Sequence, residues 1–256
     1  MRKYLFAVLF SAMAFGAVAH AYGAEAPAWP LASMNKQIDQ TNVLMNNNCS
    51  GTLIDAKNGY ILTANHCIRD QFEIVSRQTI GDDGVVKEEK VRVARPGTFS
   101  YLLFKDANEV QRTVYVYKIV LNDEKLDLAL VQTKAKLPET LSAPFACAEP
   151  IRGEKVYAVG NPYAVLYSSV TSGIVSSTDR NYPMIRVDDM DGNTLIQSSA
   201  IVAPGNSGGA LYNERGELIG VNVRGIPGIT LSVPLSDIKK FLMREGLDIL
   251  WKQCTK

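Results

Sequence analysis

The chain is predicted to be all-β, a sandwich or barrel architecture in two strand-rich halves. Eleven short β-branched or apolar runs, turn signals between them, and one polar, proline-containing stretch between halves of similar size support this prediction. In order, the runs are Thr52–Ile54, Tyr60–Thr63, Val85–Val93, Thr113–Val120, Leu128–Gln132, Lys155–Val159, Val170–Val175, Thr194–Gln197, Leu211–Asn213, Leu218–Val223 and Ile229–Val233. Each is short and rich in the residues that favour a pleated surface, as strands are and long helices are not. Asn58-Gly59, Gly81-Asp82-Asp83-Gly84, Pro96-Gly97, Asp191-Gly192-Asn193 and Arg215-Gly216 supply the turns. The stretch Lys134–Pro150 reads as the linker, and Arg69–Arg112, which mixes charge with apolar residues, as a hairpin with solvated surface loops. After Pro234 a helix is expected, capped by Ser236, with Ile238, Phe241 and Leu242 on one face and Gly246 ending or interrupting it.

Composition narrows the function classes. With 256 residues, 46% hydrophobic and 21% charged, and a formal net charge of +1, the chain is too apolar to be disordered and lacks the basic footprint of a nucleic-acid binder. Arg2 and Lys3 precede an apolar run from Tyr4 to Ala19, and Ala19-His20-Ala21 places small residues three and one before a cut. That is the pattern of a secretory signal peptide over residues 1–21, a little short of the roughly 20 apolar residues needed to span a bilayer. The expectation is an exported protein, periplasmic or extracellular, with no stable membrane insertion after cleavage. The cleaved chain has 235 residues, 25 basic and 26 acidic side chains, and a single histidine, His66. Residues 22–48 then form an N-terminal segment, 49–133 the first half, 134–150 the linker, 151–235 the second half and 236–256 the terminal helix. Export makes Cys49, Cys67, Cys147 and Cys254 disulfide candidates, with three possible pairings between which sequence does not choose. No two are spaced as C-x-x-C and one histidine remains, so neither a zinc cluster nor any cofactor is expected.

The chemistry-bearing residues start with Gly205-Asn206-Ser207-Gly208-Gly209. Glycines flanking a serine allow positive φ and let backbone amides approach a bound group. Gly205, Asn206 and Ser207 thus suit an oxyanion hole, the amides of Gly205 and Ser207 pointing at one developing charge, each worth about 3 kcal/mol in acyl transfer. A serine hydroxyl needs a base. His66, within Thr63-Ala64-Asn65-His66-Cys67, is the one histidine available. Asp127, embedded in Leu126-Asp127-Leu128-Ala129-Leu130-Val131, needs a partner, because an unpaired buried carboxylate costs several kcal/mol. Asp123 and Glu124 lie in a hydrophilic turn and are weaker candidates for orienting the base.

In the order His66, Asp127, Ser207, with the motifs T-A-x-H-C, D-L-A-L and G-x-S-G-G, the chain resembles the chymotrypsin-type serine proteases. Ser198–Leu211 and Gly216–Asn222 resemble the bacterial Deg/HtrA-type trypsin-like peptidases, and the likeness runs from about Cys49 to the terminal helix. The resemblance implies two six-stranded antiparallel β-barrels packed at right angles with a C-terminal helix. It implies His66 and Asp127 from the first barrel, Ser207 from the second, attack by the Ser207 hydroxyl with His66 taking the proton, and an acyl-enzyme. It implies protein or peptide substrates and no nucleic acid. It also implies a Cys49–Cys67 disulfide and, with it, Cys147–Cys254, which would tie the linker to the terminal helix.

Departures from the family pattern limit the transfer. Asn206 stands where digestive proteases carry the aspartate that pairs with a new amino terminus, and no I-V-G-G precedes Cys49, so activation by that route is not expected. With 49 residues after Ser207, no PDZ domain is expected. Six residues before Ser207, where the resembling trypsins carry an acid, stands Ile201. Ile201, Val202, Val223 and Leu231 are therefore expected in or near an apolar pocket, and Gly225 and Gly228 to leave it deep enough for an aromatic side chain. Val223-Arg224-Gly225 resembles the edge strand that pairs with substrate backbone. The rival reading is a catalytically silent protease-fold module for binding or adhesion, and a third is an esterase.

Overall fold

The computed structural model describes residues 29–45, 48–69, 72–80, 85–94, 102–106, 108, 110–114, 117–134, 140–181 and 193–255. The expected signal segment and the turns at 81–84, 96–97 and 191–192 lie outside them. Among the described residues a helix, α1 (Leu31–Thr41), leads into fifteen strands. The first half carries β1 (Asn42–Met45), β2 (Cys49–Asp55), β3 (Tyr60–Ala64), a single helical turn α2 (His66–Arg69), β4 (Phe72–Ile80), β5 (Val86–Ala94), β6 (Leu102–Lys105), β7 (Gln111–Val114), β8 (Tyr117–Asp123) and β9 (Leu128–Thr133). The second carries β10 (Lys155–Gly160), β11 (Ser169–Asn181), β12 (Thr194–Ser198), β13 (Ala210–Asn213), β14 (Leu218–Ile226) and β15 (Ile229–Pro234), then α3 (Leu235–Met243).

The second half is the closed six-stranded antiparallel barrel expected, in the order β10-β11-β12-β15-β14-β13. Among the described residues the first half differs. It is a seven-stranded half-barrel sheet, β7-β6-β1-β2-β3-β9-β8, with β4 and β5 forming a separate two-stranded ladder. The sheet widens because Asn42–Met45, upstream of Cys49, pairs with both β2 and β6. The run Thr113–Val120 also divides between β7 and β8, which occupy opposite edges of the sheet. Local β-propensity marks such a run but says nothing about its partners.

Of the expected linker, residues 140–150 are docked rather than free. The Ala143 N–H donates to the Leu53 carbonyl (2.9 Å), Leu218 N–H to the Pro144 carbonyl (2.7 Å) and Ala146 N–H to the Leu218 carbonyl (3.1 Å), so the stretch touches both halves. Phe145 is fully buried, with its ring centroid 5.4 Å from that of Trp251. Ile238, Phe241 and Leu242 of α3 are buried, as their spacing predicts. Ser236 is not the cap: it lies inside the helix, the N-cap position is Pro234, and no side chain of the cap residue bonds the first turn. Instead the linker's Glu149 carboxylate accepts from the Ser236 N–H. Burial pushes the Glu149 carboxyl above its usual range despite that bond. Gly246 follows the helix at φ +68°, and Leu247–Thr255 continues as a 3₁₀ segment. Both disulfides implied by the resemblance are formed, Cys49–Cys67 with Cα atoms 5.9 Å apart and Cys147–Cys254 with 5.0 Å.

Residues 29–45, upstream of Cys49, belong to the packed body. Trp29 is 7% exposed and packs edge-on against Tyr157 (5.9 Å) and Tyr212 (5.4 Å). Its N–H donates to the Glu214 carbonyl (2.6 Å), and Gln37 Nε2 donates to the Gly216 carbonyl (2.6 Å). Any side chain at Gly216 would strike the indole, since a Cβ there would lie 2.5 Å from the ring. Tyr212, wholly buried with its hydroxyl 2.9 Å from Thr41 Oγ1, has its phenol pushed up to about 12 by burial. Trp29→Ala is expected to lower unfolding free energy by about 3–5 kcal/mol, the usual cost of emptying a buried aromatic site. A urea titration reads this as a lower midpoint, and an unchanged midpoint would show the anchor to be dispensable.

Candidate active site

His66 follows β3 directly, and the turn 124–127 between β8 and β9 brings Asp127 to it. The carboxylate engages the histidine twice: Asp127 Oδ2 lies 2.7 Å from His66 Nδ1, and Oδ1 accepts the His66 backbone N–H at 2.8 Å. The Asp127 carbonyl also accepts the Asn65 N–H at 3.0 Å. Ring and backbone of the histidine are thereby set by one residue. Asp127 sits at φ +53°, in the left-handed region that aspartate tolerates better than most residues. Its side chain is 13% exposed and that of His66 33%, so the acid is shielded while the ring opens to solvent.

Asp127 faces the histidine, and Asp123 is engaged elsewhere. Asp123 Oδ1 accepts the Leu126 N–H (3.0 Å) and Oδ2 the Arg244 guanidinium (2.7 Å). Burial alone would raise its pKa, but the Leu126 N–H and Arg244 outweigh it and hold the carboxyl below its ordinary value. Asn65 is also explained: buried, it accepts from Asn122 Nδ2 at 3.1 Å and ties the base's turn to β8.

Ser207 lies in the loop before β13, half-buried. Complete accounting of the loop's backbone groups is informative, because buried amides are rarely left unpaired without a reason. Every carbonyl from Pro204 to Gly208 is held. Pro204 accepts from Tyr163 N–H (2.6 Å), Gly205 from Ser50 Oγ (2.7 Å), Asn206 from Gly209 N–H (3.0 Å), Ser207 from Ser50 N–H (2.8 Å) and Gly208 from Thr52 Oγ1 (3.4 Å). The N–H groups of Asn206 and Gly208 are used by the carbonyls of Ala203 (3.0 Å) and Asn222 (2.7 Å). The N–H groups of Gly205 and Ser207 have no acceptor among the described residues. A trans peptide points its N–H opposite to its carbonyl, so Tyr163 and Gly209, by holding the Pro204 and Asn206 carbonyls, turn these two donors the other way. Two donors are thus left for an external oxygen, those of Gly205 and Ser207. Asn206, expected to contribute to an oxyanion hole, spends its amide inside the loop, and its side chain is buried against Gly160.

Two glycines make the loop possible. Gly205 has φ +101°, and Gly208 has φ +85° with its missing Cβ only 2.2 Å from the Ser50 carbonyl and from Thr63 Oγ1. The latter contact presses the serine loop against the strand leading to His66. The Cys49–Cys67 sulfurs lie within 4.8 Å of a ring nitrogen of His66. A Cys₂His metal set would need two thiolates there, and the sulfurs are bonded to each other.

In the second half β14 pairs with β13 as far as Val221, and beyond Asn222 it pairs, among the described residues, only with β15. Val223–Ile226 thus offers one edge unpaired among the described residues, with Arg224 and Gly225 exposed and Val223 buried. The expected pocket residues divide. Leu231 is fully buried in the barrel, Ile201 is 62% exposed, and Val202 is half-buried. A Cβ on Gly225 would lie 2.7 Å from Val202 Cγ2. The valine methyl therefore occupies space that Gly225 was expected to leave open for an aromatic ring.

A trypsin-like peptidase domain model matches residues 49–221. The chain belongs to the trypsin-like peptidase family. Among relatives of this trypsin-like peptidase, a probable periplasmic serine protease, do/HhoA-like, of Haemophilus influenzae is 35% identical over 192 residues, covering 72% of this chain and 34% of the relative. The serine endoprotease DegS of the same organism is 29% identical over 221 residues, covering 82% and 54%. The crystal structure of the serine endoprotease from Yersinia pestis superposes with a TM-score of 0.58 at 24% identity, over 86% of this chain and 67% of that one, which supports the fold. The trypsin-like peptidase chain spans between 26% and 54% of the length of such curated relatives. No helix among its described residues is long and apolar enough to cross a membrane.

Sequence reading alone missed Ser50, Thr52, Tyr163 and Asn222, which hold the serine loop in this trypsin-like peptidase. Ser50 stands beside Cys49, which was read for its disulfide, and Thr52 opens the run Thr52–Ile54, which was read as a strand. Small hydroxyl residues on an otherwise apolar strand were the available signal.

Proposed function

We propose that the protein is an exported serine endopeptidase that hydrolyses peptide bonds in proteins or peptides, using Ser207 as nucleophile, His66 as base and Asp127 as its orienting acid. The observation that carries this reading is the pair of unspent N–H groups, Gly205 and Ser207, in a loop whose carbonyls are all held. Such an arrangement costs stability in the resting protein and suits an oxyanion formed during reaction. Asp127 at Nδ1 keeps the proton there, leaving Nε2 as the acceptor. The Ser207 hydroxyl adds to the substrate carbonyl carbon as its proton passes to His66, and the carbonyl oxygen takes up the negative charge facing the two amides. Collapse expels the amine, which receives the proton from His66, and leaves an acyl ester on Ser207. Water, deprotonated by the same histidine, attacks the ester and releases the acid and free serine.

Substrate backbone would add to the open edge at Val223–Gly225, an interaction blind to side-chain identity. Selectivity then falls on the space beside Val202. With Val202 Cγ2 pressed on Gly225, aliphatic residues such as Val, Ala, Ile or Leu fit before the scissile bond better than aromatic ones. No acid stands at Ile201 to bind Lys or Arg. The Haemophilus relative named as periplasmic and the apolar run from Tyr4 to Ala19 behind Arg2 and Lys3 support export to the periplasm or beyond.

Incubation of the protein with a diverse peptide library, with cut sites mapped by mass spectrometry, tests the reading. Cuts are expected after small aliphatic residues. Val202→Ala is expected to raise kcat/KM for Phe or Tyr relative to Val at that position by about tenfold or more, in the range set by one or two methylenes in a pocket. Cleavage mainly after Glu or Arg, or an unaltered ratio in the variant, overturns the specificity.

A further inference from the structure

We infer that Ser50 is a positioning residue for the oxyanion hole, held in its working rotamer by a buried amide network that runs from the N-terminal strand. This rests on the serine-peptidase reading above and concerns how the first half of the molecule sets a loop of the second.

Ser50 is fully buried on β2, and its hydroxyl uses its whole bonding capacity. It accepts from the Asn161 backbone N–H at 2.9 Å and from Asn161 Nδ2 at 3.0 Å, and lies 2.7 Å from the Gly205 carbonyl. With both lone pairs facing donors, the one hydroxyl proton must go to Gly205. The same residue's N–H holds the Ser207 carbonyl at 2.8 Å. Ser50 therefore grips the loop on both sides of Asn206, at the carbonyls of the two residues whose amides face the oxyanion. Release of the Gly205 carbonyl would leave the Gly205–Asn206 peptide held by the Asn206 N–H on the Ala203 carbonyl alone (3.0 Å), so that its tilt, and with it the direction of the Gly205 and Ser207 amides on either side, is set less tightly.

Asn161 in turn cannot flip. Its Oδ1 accepts from Ser168 N–H (3.0 Å) and Asn42 Nδ2 (2.8 Å), while its Nδ2 faces the Val43 carbonyl (3.1 Å) and Asn42 Oδ1 (3.2 Å) as well as Ser50. Asn161 is wholly buried and Asn42 3% exposed. A charge-free network shielded from water keeps a fixed donor direction at any salt concentration, which suits a part that must hold its geometry to a fraction of an ångström. Neither residue touches the site where substrate bonds change.

Ser50→Ala removes the grip on Gly205 while keeping the backbone bond to Ser207. The expected result on a cleaved peptide is a fall in kcat of about 10- to 100-fold with KM within twofold, smaller than the loss typical of deleting an oxyanion donor outright. Affinity for a peptide boronic acid, whose tetrahedral adduct places an oxygen in the hole, should fall by the same factor as kcat/KM. Ser50→Gly, which also lacks the hydroxyl and adds no thiol beside the Cys49–Cys67 disulfide, should follow the alanine variant and guards against a defect peculiar to alanine. A purely structural role would lower the melting temperature and the active fraction, counted by fluorophosphonate titration, but leave kcat per active site and boronate affinity unchanged. That outcome, or kcat within threefold of the parent in either folded variant, overturns the inference. A parent protein that neither cleaves peptides nor reacts with fluorophosphonate overturns the peptidase reading instead.

Discussion

Ser207→Ala is expected to lower turnover of a peptide substrate by roughly 10⁶ and to abolish labelling by a fluorophosphonate, with the fold unchanged. The size follows from the interdependence of the groups. Without the hydroxyl, His66 has no proton to accept and no acyl-enzyme forms, so the remaining acceleration comes from the two amides and from substrate binding. Folding should be spared because the loop is held through backbone groups: the Ser207 carbonyl on Ser50, the Asn206 amide on Ala203 and the Gly208 amide on Asn222. Circular dichroism and the urea midpoint check that, and a stopped assay on a quenched peptide checks the rate. Activity surviving in the variant sinks the assignment of the nucleophile, and hydrolysis confined to small esters in the parent protein favours the esterase reading.

Asp127→Asn should cost about 10⁴ in kcat, less than loss of the serine and by a different route. Asparagine tolerates the left-handed backbone at φ +53° nearly as well as aspartate. Its carbonyl oxygen can replace Oδ1 as acceptor for the His66 N–H, now 2.8 Å. Its NH₂ then faces His66 Nδ1, where the carboxylate oxygen stands at 2.7 Å. Nδ1 becomes an acceptor, the ring proton moves to Nε2, and the nitrogen facing substrate has no lone pair for the serine proton. Fluorophosphonate should react far more slowly, at a rate that falls with kcat. The fold should stay within a few degrees of the parent melting temperature, since the Asn65 and His66 backbone contacts persist. A variant within tenfold of the parent would show that another group orients the base.

How much of this was legible beforehand depends on the distance over which each feature is encoded. The His66, Asp127 and Ser207 assignments rest on residue type and flanking pattern: one histidine beside a strand end, one acid inside an apolar run, one serine between glycines. Strand runs such as Tyr60–Thr63 and Leu128–Gln132 were readable because burial on both faces leaves near-continuous apolar stretches. Asn42–Met45 and Leu102–Lys105 escaped, being four-residue strands too short to show a period. The helix face of α3 was readable and its cap was not, because the partner of the Ser236 N–H is Glu149, 87 residues away.

By itself the sequence determined the strand-rich class, the apolar faces that form the core, and the three residues with the chemistry to act as nucleophile, base and acid. Those are local properties, set by side-chain type and by periodicity within a few residues. Tertiary structure decided which half closes into a barrel, that Trp29 anchors the N-terminal helix, that Val202 fills the space beside Gly225, and that Gly205 and Ser207 rather than Asn206 offer their amides. Each depends on what stands opposite a backbone group or a glycine, and a peptide N–H or carbonyl is the same in every residue but proline. Its partner is chosen by long-range closure of the chain, as when Ser50 meets the carbonyl of Gly205 across 155 positions.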